Sequence, residues 1–195
     1  MRIETDQLCK AYDGRTVLDR FSMQLESGRI YCLMGASGSG KTTLFRILLG
    51  LEAADCGTVS ITGGHRMAAV FQEDRLCEGF SPLVNVLMAA DRGLTSQEAR
   101  RELCRLLPEE SISRPVYTLS GGMKRRTAIL RALLAPSDGI LMDEPFTGLD
   151  AETKLHVISY IKEKAAGKLL LISTHQEEDI RLLGGELITI PACLA

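Results

Sequence analysis

The sequence has no apolar run long enough to cross a bilayer. Its apolar runs, such as residues 169–172, fall far short of the ~20 residues that a spanning helix needs. The N-terminal segment also lacks the apolar core of a secretory signal peptide. We therefore expect a chain that is soluble by itself and that reaches a membrane only through a partner.

A strong net charge is also missing. The 195 residues include 23 Lys and Arg and 25 Asp and Glu, which gives a formal net charge of −2. No overall basic field points to a nucleic-acid partner, and none is expected. The basic residues after position 123 are predicted to form a solvated helix face rather than a nucleic-acid patch. They are Lys124, Arg125, Arg126 and Arg131.

The cysteines lack the spacing of a metal site. None of the six forms a C-x-x-C pair, and none has a histidine at ligand spacing. We expect neither a structural metal nor a disulfide framework, because scattered thiols of an intracellular protein usually act as small buried apolar side chains. The six are Cys9, Cys32, Cys56, Cys77, Cys104 and Cys193.

What the sequence does contain is an alternation of strand-like and helix-like segments. Two β-favouring runs around Asp13-Gly14 predict antiparallel strands at the start. Buried-type strands are predicted at 29–35, 139–145 and 168–174 and an edge strand at 186–192, with helices at 41–51, 95–107, 121–135 and 151–166. This order predicts an α/β fold with a mainly parallel sheet, an antiparallel N-terminal β subdomain and an inserted α-helical subdomain.

A glycine-rich phosphate loop is the strongest motif. Gly35, Gly40, Lys41 and Thr42 match G-x-x-x-x-G-K-[ST], with an apolar strand before the loop and a helix after it. Glycines allow backbone N–H groups to surround a β-phosphate, and the lysine reaches the β- and γ-phosphates. The threonine hydroxyl is a ligand for Mg²⁺. The motif therefore predicts binding of a nucleoside triphosphate.

Two carboxylates lie at the end of the predicted strand "ILMDEP", residues 140–145. Asp143 follows an apolar run, and the carboxyl ends of parallel strands meet the ligand crevice. We expect Asp143 to hold Mg²⁺ directly or through water, and Glu144 to polarise an attacking water. A further anion site is indicated at residues 119–122, "LSGG", where small residues open a helix.

Together with these motifs, the sequence resembles the ATP-binding subunit of ABC transporters. Tyr12 matches the aromatic residue that stacks on adenine, Gln72 the Q-loop, and "LSGGM" the signature motif. "TGLD" at 147–150 matches the D-loop and His175 the switch histidine. The motifs occur in the family's order from about residue 3 to 190. The resemblance implies one ABC ATPase domain over 1–195, with 1–72 and 119–195 as core and β subdomain and about 73–118 as helical subdomain.

The resemblance implies the site residues. Glu144, His175, Gln72 and Lys41 are expected in catalysis, and Thr42, Gln72 and Asp143 at Mg²⁺. ATP-binding residues are expected to be Tyr12, Gly35, Ala36, Ser37, Gly38, Ser39, Gly40, Lys41, Thr42, Thr43, Ser120, Gly121, Gly122 and Asp150. His65 and His156 match no motif and are expected at the surface.

The family's mechanism also implies the partners. Two domains pair head to tail, so that the signature of one chain closes on ATP held by the other. A homodimer or a pair with a paralogous ATPase subunit is expected, together with separate membrane permease subunits and a substrate-binding protein. The chain would then lie on the cytoplasmic face of the plasma membrane.

The sequence is similar to the nitrate, sulfonate and taurine importer ATPases in "FQEDRL" and "LSGGMKRR". The stretch between Gln72 and Leu119 is short for an importer's helical subdomain. An ABC ATPase that acts on nucleic acid or ribosomes is the alternative, but such relatives usually carry two ATPase domains or a long coiled-coil insert. Neither is found here, and the charge is not basic.

Overall fold

The computed structural model describes residues 1–191, which begin with a three-stranded antiparallel sheet. Strands β1 (Arg2–Tyr12) and β2 (Arg15–Glu26) form a hairpin, and a later strand, β4 (Cys56–Thr62), pairs with the other edge of β1. At the hairpin turn Asp13 and Gly14 have φ values of 49° and 80°, the left-handed geometry that a two-residue hairpin turn requires. The predicted antiparallel start is confirmed.

The second sheet has five parallel strands in the order β5-β6-β7-β3-β8. Two of its three interior strands, β6 and β7, are buried along their whole length, as their continuous apolar sequences predict. The last strand, β8, lies at one edge, as expected; residue 192 of its predicted range lies outside the described residues. The five strands are β3 (Ile30–Met34), β5 (Met67–Val70), β6 (Gly139–Asp143), β7 (Leu169–Ser173) and β8 (Glu186–Thr189).

Six α-helices accompany the sheets within residues 1–191. Two of them, α2 and α3, lie in the segment between β5 and α4, together with the 3₁₀ turns Glu109–Ser111 and Val116–Thr118. Thr95 and Glu98 form the predicted capping box at the start of α3. The helices are α1 (Lys41–Leu48), α2 (Pro82–Ala89), α3 (Ser96–Cys104), α4 (Gly121–Leu134), α5 (Ala151–Lys164) and α6 (Glu177–Leu183).

The parallel sheet has a hydrophobic core on each face. Alternate residues of a strand point to opposite faces, so Ile140 and Met142 pack with the cluster that includes α4 and α5. Leu141 and Leu171 pack on the other face, with α1 and the antiparallel sheet. Because both faces are covered, the ends of β3, β6 and β7 are held in fixed register at one edge, where the loops that carry the predicted motifs begin.

The cysteine prediction is wrong in two respects. Cys9 and Cys56 are register partners on β1 and β4, and their sulfurs form a disulfide. Strand pairing brings together two residues that are 47 positions apart in sequence, which spacing alone does not show. Among the free thiols of residues 1–191, Cys32 is buried, whereas Cys77 and Cys104 are exposed. Cys193 lies outside the described residues.

One helix differs from the sequence-based expectation. Helix α6 was not predicted, because its seven residues begin with three acidic side chains and are too few to show an apolar stripe. The histidines without a motif, His65 and His156, are exposed as expected. None of the helices in residues 1–191 combines the length and apolarity needed to cross a membrane.

Candidate nucleotide site

The loop between β3 and α1 is shaped by glycine at its end. Gly40 precedes α1 with a φ of 93°, and a Cβ atom there would lie 2.8 Å from the carbonyl oxygen of Val17. Only glycine combines this left-handed backbone with so close an approach. Helix α1 has no side-chain cap and no acidic residue in its first turn. Its first N–H groups therefore favour an anion at the helix start.

Two polar side chains of the same loop also suit a phosphate ligand. The Lys41 ammonium donates to the carbonyl oxygens of Gly35 and Ala36, at 2.8 and 3.1 Å. The Ser39 hydroxyl is buried, the residue being only 4% exposed, and has no hydrogen-bond partner in residues 1–191. A phosphate oxygen is a stronger partner for the ammonium than a carbonyl oxygen is. The loop therefore fits a polyphosphate group.

A chain of hydrogen bonds joins the loop to the ends of β6 and β7. The Thr42 hydroxyl donates to Asp143 Oδ2 at 2.7 Å, and the Ser173 hydroxyl donates to Asp143 Oδ1 at 2.6 Å. Ser173 in turn accepts from the Glu144 amide at 2.9 Å. A carboxylate beside a threonine hydroxyl is the oxygen-rich environment that Mg²⁺ prefers. These side chains therefore fit the predicted metal.

The carboxylate of Glu144 is held next to the ring of His175. The distance from Glu144 Oε1 to His175 Nε2 is 2.6 Å. Glu144 has a φ of 48°, which is uncommon for a residue with a long side chain and turns the chain sharply after β6. His175 is 46% exposed on its side chain, so it faces open space beyond the carboxylate. The pair is accessible to a ligand.

Lys41, Thr42, Glu144 and His175 lie around one cavity of about 380 Å³. The structure thus brings together all four predicted catalytic residues and most of the predicted ATP-binding residues of the phosphate loop. The cavity is lined by Tyr12, Arg15, Val17, Ser37, Gly38, Gly40, Lys41, Thr42, Thr43, Gln72, Glu144 and His175. Gly35, Ala36 and Ser39 belong to the loop behind this lining. Five other predicted residues do not line it: Asp143, which is buried behind Thr42, and Ser120, Gly121, Gly122 and Asp150.

Tyr12 stands at the mouth of this cavity, at the end of β1. Its ring is partly exposed, and its hydroxyl contacts a carboxylate oxygen of Glu52. Burial of the hydroxyl and the hydrogen bond with Glu52 raise the pKa of Tyr12 above its usual value. Held through its hydroxyl, the ring keeps one orientation while its face remains available for stacking on a base.

The signature residues form a separate, outward-facing helix start. The Ser120 hydroxyl caps α4 by accepting from the Met123 amide at 3.3 Å. Ser120 and Gly121 are exposed, and a Cβ atom added at Gly121 would meet nothing within 4 Å. Asp150 caps α5 in the same way, through the Thr153 amide at 2.9 Å. The anion site predicted at "LSGG" is therefore open to the outside, apart from the cavity.

The basic residues of α4 do not form the solvated face that the sequence predicts. Arg125 is 7% exposed and donates to the carbonyl oxygens of Phe71 and Gln72. Arg131 donates to the carbonyl oxygen of Arg75 at 2.8 Å. The prediction fails because charged side chains can be buried where they satisfy loop carbonyls, and such loop neighbours cannot be read from helical spacing.

The other two basic residues of α4, Arg126 and Lys124, differ in the partners they contact. Arg126 is half-buried and donates to the carbonyl oxygen of Leu106 at 2.5 Å, and burial lowers its pKa. Lys124 forms an ion pair of 3.0 Å with Glu78, whose side chain is exposed. Of the four basic residues, Lys124 comes nearest to the surface role that was expected.

A buried ion pair behind His175 was also missed. Lys154 on α5 is 8% exposed and lies 2.9 Å from Asp179 of α6, which is 2% exposed. Asp179 also accepts from the Thr174 hydroxyl, and Lys154 donates to Gln176 at 2.8 Å. The pair raises the pKa of Lys154 through its hydrogen bond with Asp179. It therefore anchors both chain neighbours of His175.

Ser173 is the missed residue that the sequence could have revealed. It ends β7 two positions before His175, and its register partner is Asp143 at the end of β6. Parallel pairing of the two predicted strands would have placed a hydroxyl against that carboxylate. Arg15 is the register partner of Tyr12 across the hairpin, which explains why both reach the cavity.

The fold and this site define a nucleotide-binding protein of the P-loop class. Three features are combined at one edge of the parallel sheet. A phosphate loop lies between β3 and α1, a histidine follows the neighbouring strand β7, and a carboxylate ends β6, the next strand along. The ABC transporter family model matches residues 18–147 of this chain. The chain belongs to the ABC transporter family, as an ATP-binding cassette.

Curated relatives agree with this assignment. The chain is 34% identical to the Nod factor export ATP-binding protein I of Ralstonia nicotianae over 96% of its own length and 64% of the relative's. It is 35% identical to the aliphatic sulfonates import ATP-binding protein SsuB 1 of Nocardia farcinica, over 90% of the chain and 72% of the relative. The chain thus spans about two thirds of the length of these proteins.

Solved structures confirm the fold. The ATP-binding cassette MJ0796, in a dimeric post-hydrolysis state bound to ADP and Pi, aligns with a TM-score of 0.86 and 26% identity. The alignment covers 96% of this chain and 94% of that one. A second dimeric structure of the same cassette aligns with a TM-score of 0.82 at 24% identity. The predicted ABC ATPase fold class is confirmed.

Proposed function

We propose that this chain is the ATP-hydrolysing subunit of an ABC transporter, in which two protomers close over ATP and drive a separate membrane permease. The observation that carries the proposal is the meeting of Lys41, Thr42 and the Glu144–His175 pair at one cavity, with Asp143 hydrogen-bonded to Thr42 behind its lining. The phosphate loop, a metal-binding hydroxyl and carboxylate, and a base candidate are the parts that phosphoryl transfer to water needs.

ATP would occupy the cavity with its base at Tyr12 and its phosphates at the start of α1. Lys41 would exchange its two carbonyl contacts for phosphate oxygens, and the backbone amides after Gly38 would surround the β-phosphate. Mg²⁺, held by Thr42, Gln72 and Asp143, would neutralise charge on the β- and γ-phosphates. Ser173 keeps the Asp143 carboxylate oriented toward Thr42 through its own hydrogen bond.

Hydrolysis would use Glu144 as the base. Its carboxylate accepts a proton from a water molecule as the water oxygen bonds to the γ-phosphorus and the bond to the leaving ADP oxygen breaks. The products are ADP and inorganic phosphate. His175, 2.6 Å from that carboxylate, would orient it and contact the γ-phosphate. The Ser173 hydroxyl fixes the Glu144 backbone.

A dimer follows from the position of the signature. Ser120 and Gly121 are exposed and do not line the cavity, yet they present an open helix start that suits an anion. A second copy, related by a two-fold axis, would place its own Ser120–Gly122 against this chain's γ-phosphate and complete both sites. A paralogous ATPase subunit could take the same position. The dimeric MJ0796 cassette is similar to this chain in fold and supports the arrangement.

The transport role rests on family membership. Relatives named for export and for import are equally similar, so the ATPase is the function common to both. Import, a substrate-binding protein and attachment to the cytoplasmic face of the membrane through a permease stay predictions. Helices α2 and α3 occupy the segment predicted as a helical subdomain, about residues 73–118, which we propose as the part that contacts the permease.

The test combines hydrolysis with assembly. In Glu144→Gln the general base is lost and the phosphate contacts remain, so we expect turnover to fall by about 10²-fold or more while ATP binding persists. The variant with ATP should elute as a dimer in size-exclusion chromatography with light scattering. Glu186→Gln, on the edge strand β8, is the matched control and should behave as the parent. Parental turnover in Glu144→Gln would refute the role of Glu144, and a parent that binds no ATP would refute the function.

A further inference from the structure

The loop that carries Gln72 is held by two arginines of α4. This loop, residues 71–75, follows β5 and will be called the Gln72 loop. Arg125 donates through Nη1 to the Phe71 carbonyl oxygen at 2.6 Å and through Nη2 to that of Gln72. Arg131 donates to the carbonyl oxygens of Asp74 and Arg75, at 3.1 and 2.8 Å. Four of the five carbonyls thus accept from a guanidinium.

Of the two arginines, Arg125 is the more buried and also contacts a side chain of the loop. It is buried, and its Nε lies 3.3 Å from Asp74 Oδ1 in the same loop. Burial raises the pKa of Asp74, and Arg125 opposes that rise. A planar guanidinium holds its N–H donors at fixed and separate positions, so it bonds two neighbouring carbonyls and faces a carboxylate in one rigid arrangement, whereas an ammonium donates from a single atom. The contacts therefore fix the loop backbone rather than one side chain.

We infer that Arg125 is a positioning residue for the reaction, which holds Gln72 at the cavity and links it to the signature helix. Gln72 lines the cavity and belongs to a loop outside the described strands, so its position depends on the arginine contacts to that loop. Of the two arginines, Arg125 is the one that bonds the Gln72 carbonyl oxygen itself. Ser120, the cap of the same helix, is the residue proposed to reach the partner's nucleotide. A movement of α4 on dimer closure would thus move Gln72 as well. This inference rests on the proposed function.

The experiment is a double-mutant cycle between Arg125→Met and Gln72→Ala. We measure the Mg²⁺ concentration for half-maximal ATP hydrolysis, and amide hydrogen exchange of residues 71–75 without nucleotide. Loss of such a supporting contact should raise the half-maximal Mg²⁺ concentration about tenfold. Gln72→Ala should do the same, and the double variant should be no worse than either single variant, because both remove one function. Exchange at 71–75 should rise in Arg125→Met.

The test includes one control variant and one replacement variant. Lys124→Met removes the neighbouring charge, whose partner Glu78 is exposed, and should leave Mg²⁺ dependence and exchange unchanged. If Arg125→Met does not fold, Arg125→Lys replaces it; a single ammonium should give a smaller shift in the same direction. Parental Mg²⁺ dependence in a folded Arg125 variant, or losses that multiply in the double variant, would overturn the inference. If the parent hydrolyses no ATP, the proposed function fails, whereas hydrogen exchange still tests the Arg125 contacts.

Discussion

The buried pair of Lys154 and Asp179 should govern stability as well as the position of His175. Lys154→Met keeps most of the side-chain volume and removes the ammonium. The Asp179 carboxylate, which is only 2% exposed, then has no counter-ion. The Thr174 hydroxyl would be its remaining partner among the contacts described. Burying a charge without a counter-ion destabilises the fold more than the loss of the attraction between the two charges does.

The magnitude follows from the burial of both partners. Breaking a buried ion pair by removing one side costs about 3–5 kcal/mol. We expect about 3 kcal/mol, the lower end of the range, because Lys154 also contacts Glu178, whose side chain is 70% exposed, so water can approach the pair from that side. In a chain of this size that change lowers the melting temperature by roughly 6–12 °C.

The assay is urea unfolding of the nucleotide-free protein, followed by circular dichroism. Lys154→Met/Asp179→Leu should recover a large part of the loss, since an apolar pair of similar volume removes the stranded charge. The pair raises the Lys154 pKa above 10.5, so its stabilisation is complete below that pH and is lost as the pH rises through the raised value. A single variant within 1 kcal/mol of the parent, or a double variant less stable than the single, would refute the reasoning.

Three other outcomes test the site and the assembly. Ser120→Arg and Lys41→Ala should each be inactive alone. When the two variants are mixed equally, half of the dimers contain one chain of each, and one of the two sites in such a dimer is intact, so about a quarter of parental turnover should return. No recovery of turnover would contradict the shared site. Tyr12→Ala should weaken ATP binding about 3- to 10-fold by loss of stacking, whereas the control Tyr12→Phe keeps the ring. Equal ATP affinities of Tyr12→Ala and the parent would contradict the stacking contact. The Arg105 guanidinium lowers the pKa of Glu163 from 4.5 to about 2, so its stabilising effect is present above pH 4.5 and is lost as the pH falls toward 2. Thermal melts should therefore show the stability difference between parent and Arg105→Met shrinking over that range; a constant difference would contradict it.

Local pattern predicted the parts of the fold that depend on short stretches of sequence. The continuous apolar runs of β6 and β7 indicated strands buried on both faces, and the structure shows both. The phosphate loop was predictable for the same reason, since its geometry depends on glycines within the motif itself. Short elements were less readable. Helix α6, with seven residues and an acidic start, offered no period to detect.

The predicted catalytic residues meet because parallel strands end at one edge. Glu144 and His175 follow neighbouring strands, so knowing the strand order is enough to place them together. The contacts that hold them were not predictable in this way. Lys154 and Asp179 belong to two helices whose packing depends on the whole core, and Arg125 bonds to carbonyls that sequence does not distinguish. The Cys9–Cys56 pair depends on the register of strands that are far apart in the chain.

The backbone at Glu144 has a consequence for how this protein can change. A long side chain in the left-handed region costs roughly 1–2 kcal/mol, which glycine would not incur. Replacement by glycine would therefore relieve the backbone and at the same time delete the carboxylate proposed as the base. Selection for thermal resistance alone would favour that replacement, whereas selection for turnover would reject it. Stability and the rate of hydrolysis therefore place opposite demands on residue 144.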